Sequence, residues 1–335
     1  MNVVRLEAPS RGLARLARLV LPAVLLALAP ARAQDSASAP PPVEAAPAAT
    51  VAVYMPSVGF ADSMARARFA ETVARALEGA VGQPVRGRAF GAAGEFQAQV
   101  AAGGVDFAIV DATYAIEHGN LKPLAQATSG GNPARPLQVF TSAGAASVSA
   151  LAGQTLVLFD VGAREDRFVA NFVFQGQIGP DYFKRAKPVR DAQAAVAVVK
   201  LGKAQVTVGY QGAGGGLSAV FTSRAAPLPI FVQARDGVDA AVLAAVKKAA
   251  VGLSAGTDAF DGFGPYNGGA AALSALRSAM ASAPGGALTE PVLSPAVGAL
   301  PPVTSALDPT IPAALVTEPP AADALSVPVA PADTF

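Results

Sequence analysis

Short β-rich runs alternate with helix-length amphipathic stretches from residue 51 to about residue 110, and that order admits few folds. Residues 51–55 (VAVYM) are an apolar run ended by Pro56, the pattern of a buried strand followed by a loop. Ser63 is placed to cap the next helix, in which Phe69, Val73, Leu77 and Val81 form one apolar stripe. Gly82 and Pro84 stop it. Residues 84–90 (PVRGRAF) read as a second strand, and 92–102 as a helix with Phe96 and Val100 inward, closed by Gly103-Gly104. Residues 105–110 (VDFAIV) read as a third strand, with a helix starting at Thr113. A β-α-β-α-β order implies a parallel sheet with right-handed crossovers.

The pattern then resets. Segments 124–128 and 137–142 are strand-like around a Gly/Asn/Pro loop at 129–136. Residues 155–159 (TLVLF) predict a buried strand, and a helix carrying Phe168, Phe172 and Val173 follows to Gly176. Residues 181–186 predict a short helix, 192–200 a helix, 205–210 (QVTVGY) a strand and 230–232 a late strand. Helices at about 238–253 and 270–282 finish the core. The expected fold class is therefore α/β: two lobes of mostly parallel sheet flanked by helices. Lobe 1 is expected at about 50–140 plus 230–283, and lobe 2 at about 141–229.

The ends differ in character. Residues 1–33 carry Arg5, Arg11, Arg15 and Arg18, a short apolar run at 19–30, and Ala31-Arg32-Ala33. This is the layout of an export signal cleaved near Ala33, the other reading being an uncleaved anchor. The run is shorter than the roughly 20 residues that span a membrane. Residues 34–49 hold Pro, Ala and Ser without periodicity and read as a flexible tether. Residues 284–335 contain 11 Pro, no Lys or Arg and five acidic residues, and read as a mostly disordered acidic tail. That tail either docks on an envelope partner or back on the domain, or is simply solvated.

Composition closes several chemistries. With no Cys there is no disulfide scaffold, thiolate site, Cys nucleophile or lipoprotein anchor, and with one His, His118, no multi-His metal site. No metal or other cofactor is expected. A net charge of +1 argues against a general nucleic-acid binder. There is no nucleophile elbow and no base placed beside a nucleophile by motif, so no catalytic residue is assigned. Without residues 1–33 the chain has 20 basic and 23 acidic residues. Two of those acids fall in the tether and five in the tail, leaving a folded core of 20 against 16, mildly suited to an anionic ligand.

Four stretches together resemble the phosphate/phosphonate-binding branch of the type II periplasmic solute-binding proteins. They are VAVYMP at 51–56, GGVDFAIVDATYAI at 103–116, SALAGQTLVLFDVGA at 149–163 and QVTVGY at 205–210; DGFGPY at 261–266 is comparable to a late segment of that family. The resemblance implies a two-lobe periplasmic protein that closes by a hinge on a small oxyanion such as phosphate or phosphonate and delivers it to an ABC-type permease. Ligands of open α/β sheets sit beyond the carboxyl ends of strands. The ligand-binding candidates are accordingly Tyr54, Ser57, Asp111, Thr113, Tyr114, Thr141, Ser142, Arg164 and Tyr210, with Tyr114, Thr141 and Ser142 matching the family positions best. The Ser/Thr-rich turn that the family uses for the anion is here DVGAREDRF, without a hydroxyl; Arg164 or Arg167 would replace it by bidentate binding, with Glu165 and Asp166 opposing.

Several positions carry a plainer reading as well. Asp111 can serve as a helix cap, His118 as a cation at a helix end, and GAGGG at 212–216 as a flexible loop or hinge. The alternative function is a non-transport scaffold or sensor with a degenerate cleft and a partner-binding tail.

Overall fold

The computed structural model describes residues 49–283, apart from Ala143, Ala145, Ala146, Ala163 and Gly269. The expected export signal, nearly all of the expected tether and the acidic tail lie outside the described residues. Residue 49, the expected end of the tether, is the first residue of a strand.

Lobe 1 is built on a six-stranded sheet of β1 (Ala49–Tyr54), β2 (Val85–Ala89), β3 (Phe107–Val110), β4 (Lys122–Thr128), β10 (Ile230–Gln233) and β11 (Gly262–Pro265). Their order is β11-β4-β10-β3-β1-β2. The first helix, α1 (Ser63–Val81), buries Phe69, Ala70, Val73, Ala74 and Leu77 against the sheet. Its cap is Asp62, not Ser63: the Asp62 carboxylate accepts the N–H of Ala65. The helix lies so close to β2 that a Cβ on Gly87 would stand 2.5 Å from the Ala70 carbonyl oxygen. Two shorter helices, α2 (Ala93–Ala101) and α3 (Ala112–Glu117), bring Phe96 and Tyr114 against Tyr54, with ring centroids 5.3 Å apart in each pair.

Lobe 2 holds a five-stranded sheet in the order β7-β6-β8-β5-β9. Its strands are β5 (Ala134–Thr141), β6 (Thr155–Leu156), β7 (Lys184–Arg185), β8 (Val206–Tyr210) and β9 (Ser218–Pro227). Between β6 and β7 the chain turns through α4 (Glu165–Arg167) into a π-helical stretch, Phe168–Val173, with Phe168, Val169, Phe172 and Val173 buried. Helix α5 (Ala192–Lys200) packs on β8. In lobe 1, α6 (Ala240–Ala250) packs against α1.

Four expectations are corrected. The sheets are mixed rather than mostly parallel. β1 is parallel to β2 and β3, and β6 to β7 and β8, but β10 runs antiparallel to β3 and β4, β11 to β4, and β5 to β8 and β9. Parallel pairing follows the short β-α-β connections, whereas β5, β10 and β11 arrive by crossing between lobes or by long returns. Secondly, β5 pairs inside the second sheet, so lobe 2 begins before residue 134 and not at 141. Thirdly, residues 181–186 are not a helix: a 3-10 turn at Pro180–Tyr182 leads into β7. Lastly, α7 (Ala271–Ala281), expected with lobe 1, packs on the π-helical stretch and β9 of lobe 2. Strands β9 and β11 were not anticipated. The first mixes polar and apolar residues and is only partly buried, and the second is Gly- and Pro-rich.

The chain passes from lobe 1 to lobe 2 through residues 129–133 and returns through 228–229. These crossings lie side by side: Leu228 N–H donates to the Pro133 carbonyl at 2.9 Å and Ala127 N–H to the Pro229 carbonyl at 2.8 Å.

Candidate functional site

The carboxyl ends of β1 and β3 and the turn after β6 face one another across the lobes. They enclose a cavity of about 320 Å³ lined by Tyr54, Asp111, Thr113, Tyr114, Glu117 and His118 from lobe 1 and by Asp160, Val161, Gly162 and Arg164 from lobe 2, with Gln97 of α2 at its side. Parallel β1 and β3 end together, and β6, parallel to β8, leads to Asp160, Val161 and Gly162 on the opposite wall.

Two tyrosines make its aromatic wall. Tyr54 and Tyr114 meet edge to face, and Tyr114 stacks on His118 with centroids 3.9 Å apart. The Tyr54 hydroxyl crosses the cleft and donates to Asp160 Oδ2 at 3.1 Å. Burial, and then the negative charge of Asp160, push the Tyr54 hydroxyl well above the usual phenol range, so it stays a protonated donor. Burial also raises Tyr114.

Three carboxylates border the cavity. Asp160 Oδ1 accepts the N–H of Gly162 at 3.0 Å. Glu117 lies 4.0 Å from the Arg164 guanidinium, which is half exposed. Asp111 stands at the N-cap position of α3, yet its side chain accepts no N–H of that helix. It accepts instead the Ser57 N–H at 2.7 Å and the Ser57 hydroxyl at 2.5 Å. The cap expected of Asp111 is thereby corrected: a long-range contact outcompetes the local one. Burial raises the Asp111 carboxyl to about 7 against the pull of the two Ser57 hydrogen bonds. Among the described residues neither Asp111 nor Asp160 makes an ion pair.

Of the expected ligand residues, Tyr54, Asp111, Thr113, Tyr114 and Arg164 come together here. Ser57 and Tyr210 lie deeper, beside a narrow apolar pocket formed with Leu137, Phe159 and Phe172, and the Tyr210 hydroxyl donates to the Pro227 carbonyl at 3.0 Å. Thr141 and Ser142 line none of these cavities. The reason is strand direction. β5 is antiparallel to β8, so Leu137 sits beside Tyr210 near the cleft while Thr141 sits beside Val206 at the far end of the sheet. Arg164 has a second duty: its Nη1 donates to the Met280 carbonyl at 3.2 Å.

Sequence reasoning did not select Gln97 or Glu117. Glu117 follows Tyr114 by three residues, on the same helical face, which is the signal that could have found it. His118 closes α3 as expected, with Nδ1 2.9 Å from the Tyr114 carbonyl oxygen. The GAGGG segment is a turn-rich loop on the rim of a further interlobe cavity, beside Arg135 and Gln193. Among the described residues no group of three or more side chains is arranged to hold a metal ion.

The two-lobe arrangement is the fold of the type II periplasmic binding proteins. A binding-protein component of an ABC phosphonate transporter from Pseudomonas aeruginosa is similar with a TM-score of 0.53 and 12% identity, over 65% of this chain and 81% of that one. PhnD1 from Prochlorococcus marinus, solved with methylphosphonate, is similar with a TM-score of 0.54 and 10% identity, over 66% of this chain and 93% of its own. No protein-family model and no curated protein matches the chain.

Proposed function

We propose that this chain is a periplasmic solute-binding protein whose interlobe cleft takes a small solute carrying a positive charge, and which presents it to an ABC-type permease. The observation that carries this reading is the charge around the 320 Å³ cavity: Asp111, Glu117 and Asp160 on its walls against the single guanidinium of Arg164, itself shared with the Met280 carbonyl. An ammonium group suits such a site. Carboxylates attract it.

The oxyanion implied by the family resemblance is the weaker reading. The Ser57 N–H and hydroxyl, donors of the kind an oxyanion would use, are taken by Asp111, a carboxylate belonging to the chain itself. The export layout of residues 1–33 supports a periplasmic setting. No catalysis is part of the proposal.

Titration calorimetry and thermal shift with choline, ethanolamine and putrescine, run beside phosphate, methylphosphonate and sulfate, test it. The expected result is stabilisation by cations that weakens with salt, and none by the anions. Stabilisation by the anions alone overturns it.

The scaffold alternative draws on a separate observation. The lobes already meet directly, through the buried Arg66–Asp191 ion pair and the hydrogen bond from Ala192 N–H to the Pro56 carbonyl at 2.9 Å. Silence of the protein to all six solutes favours that alternative.

A further inference from the structure

Asp111 lies where the two lobes close on each other. Its carboxylate forms part of the acidic cavity on one side and of the apolar pocket on the other, where Leu137, Phe159, Phe172 and Tyr210 of lobe 2 cover it. Asp111 is 3% exposed. The charged and titratable groups that act on it are Tyr54 from β1, Arg66 from α1, Tyr210 from β8 and Asp160 from the turn after β6, and Tyr114 of α3 lines the same cavity. Glu117, His118 and Arg164 line the same cavity farther out.

None of these neutralises Asp111 by contact. The Arg66 guanidinium is bound to Asp191 and the Phe90 carbonyl, and the Tyr210 hydroxyl to the Pro227 carbonyl. Closing lobe 2 over Asp111 therefore takes a carboxylate out of water beside a second carboxylate. A buried charge in that position is strongly disfavoured unless something neutralises it. Two agents can do so: a proton on the carboxyl itself, or a cation in the adjoining cavity.

We propose that Asp111 couples solute capture to proton release: the empty cleft closes with Asp111 protonated, and a cationic solute entering the cavity displaces that proton. The inference rests on the cationic reading of the site. Burial lifts the Asp111 carboxyl to about 7, so the exchange falls at neutral pH. Linkage is reciprocal: a cation that favours the carboxylate releases the proton, and the proton weakens the cation.

The test is calorimetry of the full chain with choline, whose charge does not titrate, and with putrescine, from pH 6 to pH 8. Affinity is expected to rise about tenfold over that range, with about half a proton released per cation bound at pH 7, as a single site near 7 requires. Proton release is counted in the unmodified protein from two buffers of different ionisation enthalpy, so the result does not depend on a variant folding. Asp111→Asn is expected to bind more weakly at pH 8 and to lose the pH dependence. His118 lines the same cavity, so His118→Gln is the control and is expected to keep the slope. Cation binding with flat affinity and no proton release overturns the coupling and leaves the cationic reading intact. A slope that survives Asp111→Asn overturns it too. Absence of choline and putrescine binding at every pH removes the cationic reading, and this inference with it.

Discussion

At position 162 the backbone holds φ at +88°, and a Cβ there would collide with Glu117 Oε2. Glycine is what lets the turn after β6 come close enough for Asp160 to receive the Tyr54 hydroxyl. Gly162→Ala is expected to lower stability by about 1–2 kcal/mol, from left-handed strain alone, and to push Glu117 into the cavity. Chemical denaturation measures the first effect and a loss of choline affinity the second; an unchanged midpoint would contradict the argument. Asp111 illustrates at this scale what a linear reading misses. Its place before a helix made a cap the natural reading, while its partner, Ser57, lies 54 positions away. Tyr54 and Tyr114 were legible because they end strands or open helices in a recognisable order. Gln97 and Glu117 were not, because their role depends on which helix faces faced the cleft.

Among the elements, α7 has the least expected position. Three side chains of lobe 2 hold its C-terminal carbonyls: Arg164 and Arg167 donate to Met280 at 3.2 and 3.0 Å, and Asn171 donates to Ala279 at 3.1 Å. Guanidinium groups there satisfy carbonyls that the helix leaves unpaired and favour its negative end. Arg167→Ala with Asn171→Ala is expected to cost about 1–3 kcal/mol locally. Hydrogen exchange in residues 271–281 should quicken while β1 and β3 stay protected; uniform quickening would instead mark global destabilisation. The helix itself was readable from its apolar spacing, but nothing in that spacing says which lobe receives it. Strand direction was hidden in the same way. Residues 137–142 looked like a strand ending at the site, and antiparallel pairing turned that end away.

For the molecule as a whole, the raised Asp111 carboxyl makes stability depend on pH. The carboxyl titrates near 7 when folded and near its ordinary value of 3.8 when unfolded. Between those values the folded state keeps a proton that the unfolded state gives up. Its contribution is therefore full below about pH 4 and is lost as pH rises to about 7, amounting to about 4 kcal/mol in total. Denaturant midpoints of the unmodified chain and of Asp111→Asn should diverge across that window, and parallel curves would contradict the assignment. The two-lobe α/β plan was legible in the sequence because strand and helix periods alternate clearly. The site's polarity was not, because a core of 20 basic and 16 acidic residues says nothing of which ones face the cleft.

The chain leaves β11 in lobe 1 at Pro265 and enters α7, clamped to lobe 2, at Ala271. Residues 266–270 thus form a strap between bodies already joined by the paired crossings at 129–133 and 228–229. Six Cα steps reach at most about 20 Å when fully extended. That length bounds any parting of the lobes: with the clamp intact, Pro265 of one and Ala271 of the other can separate no farther than the intervening chain reaches.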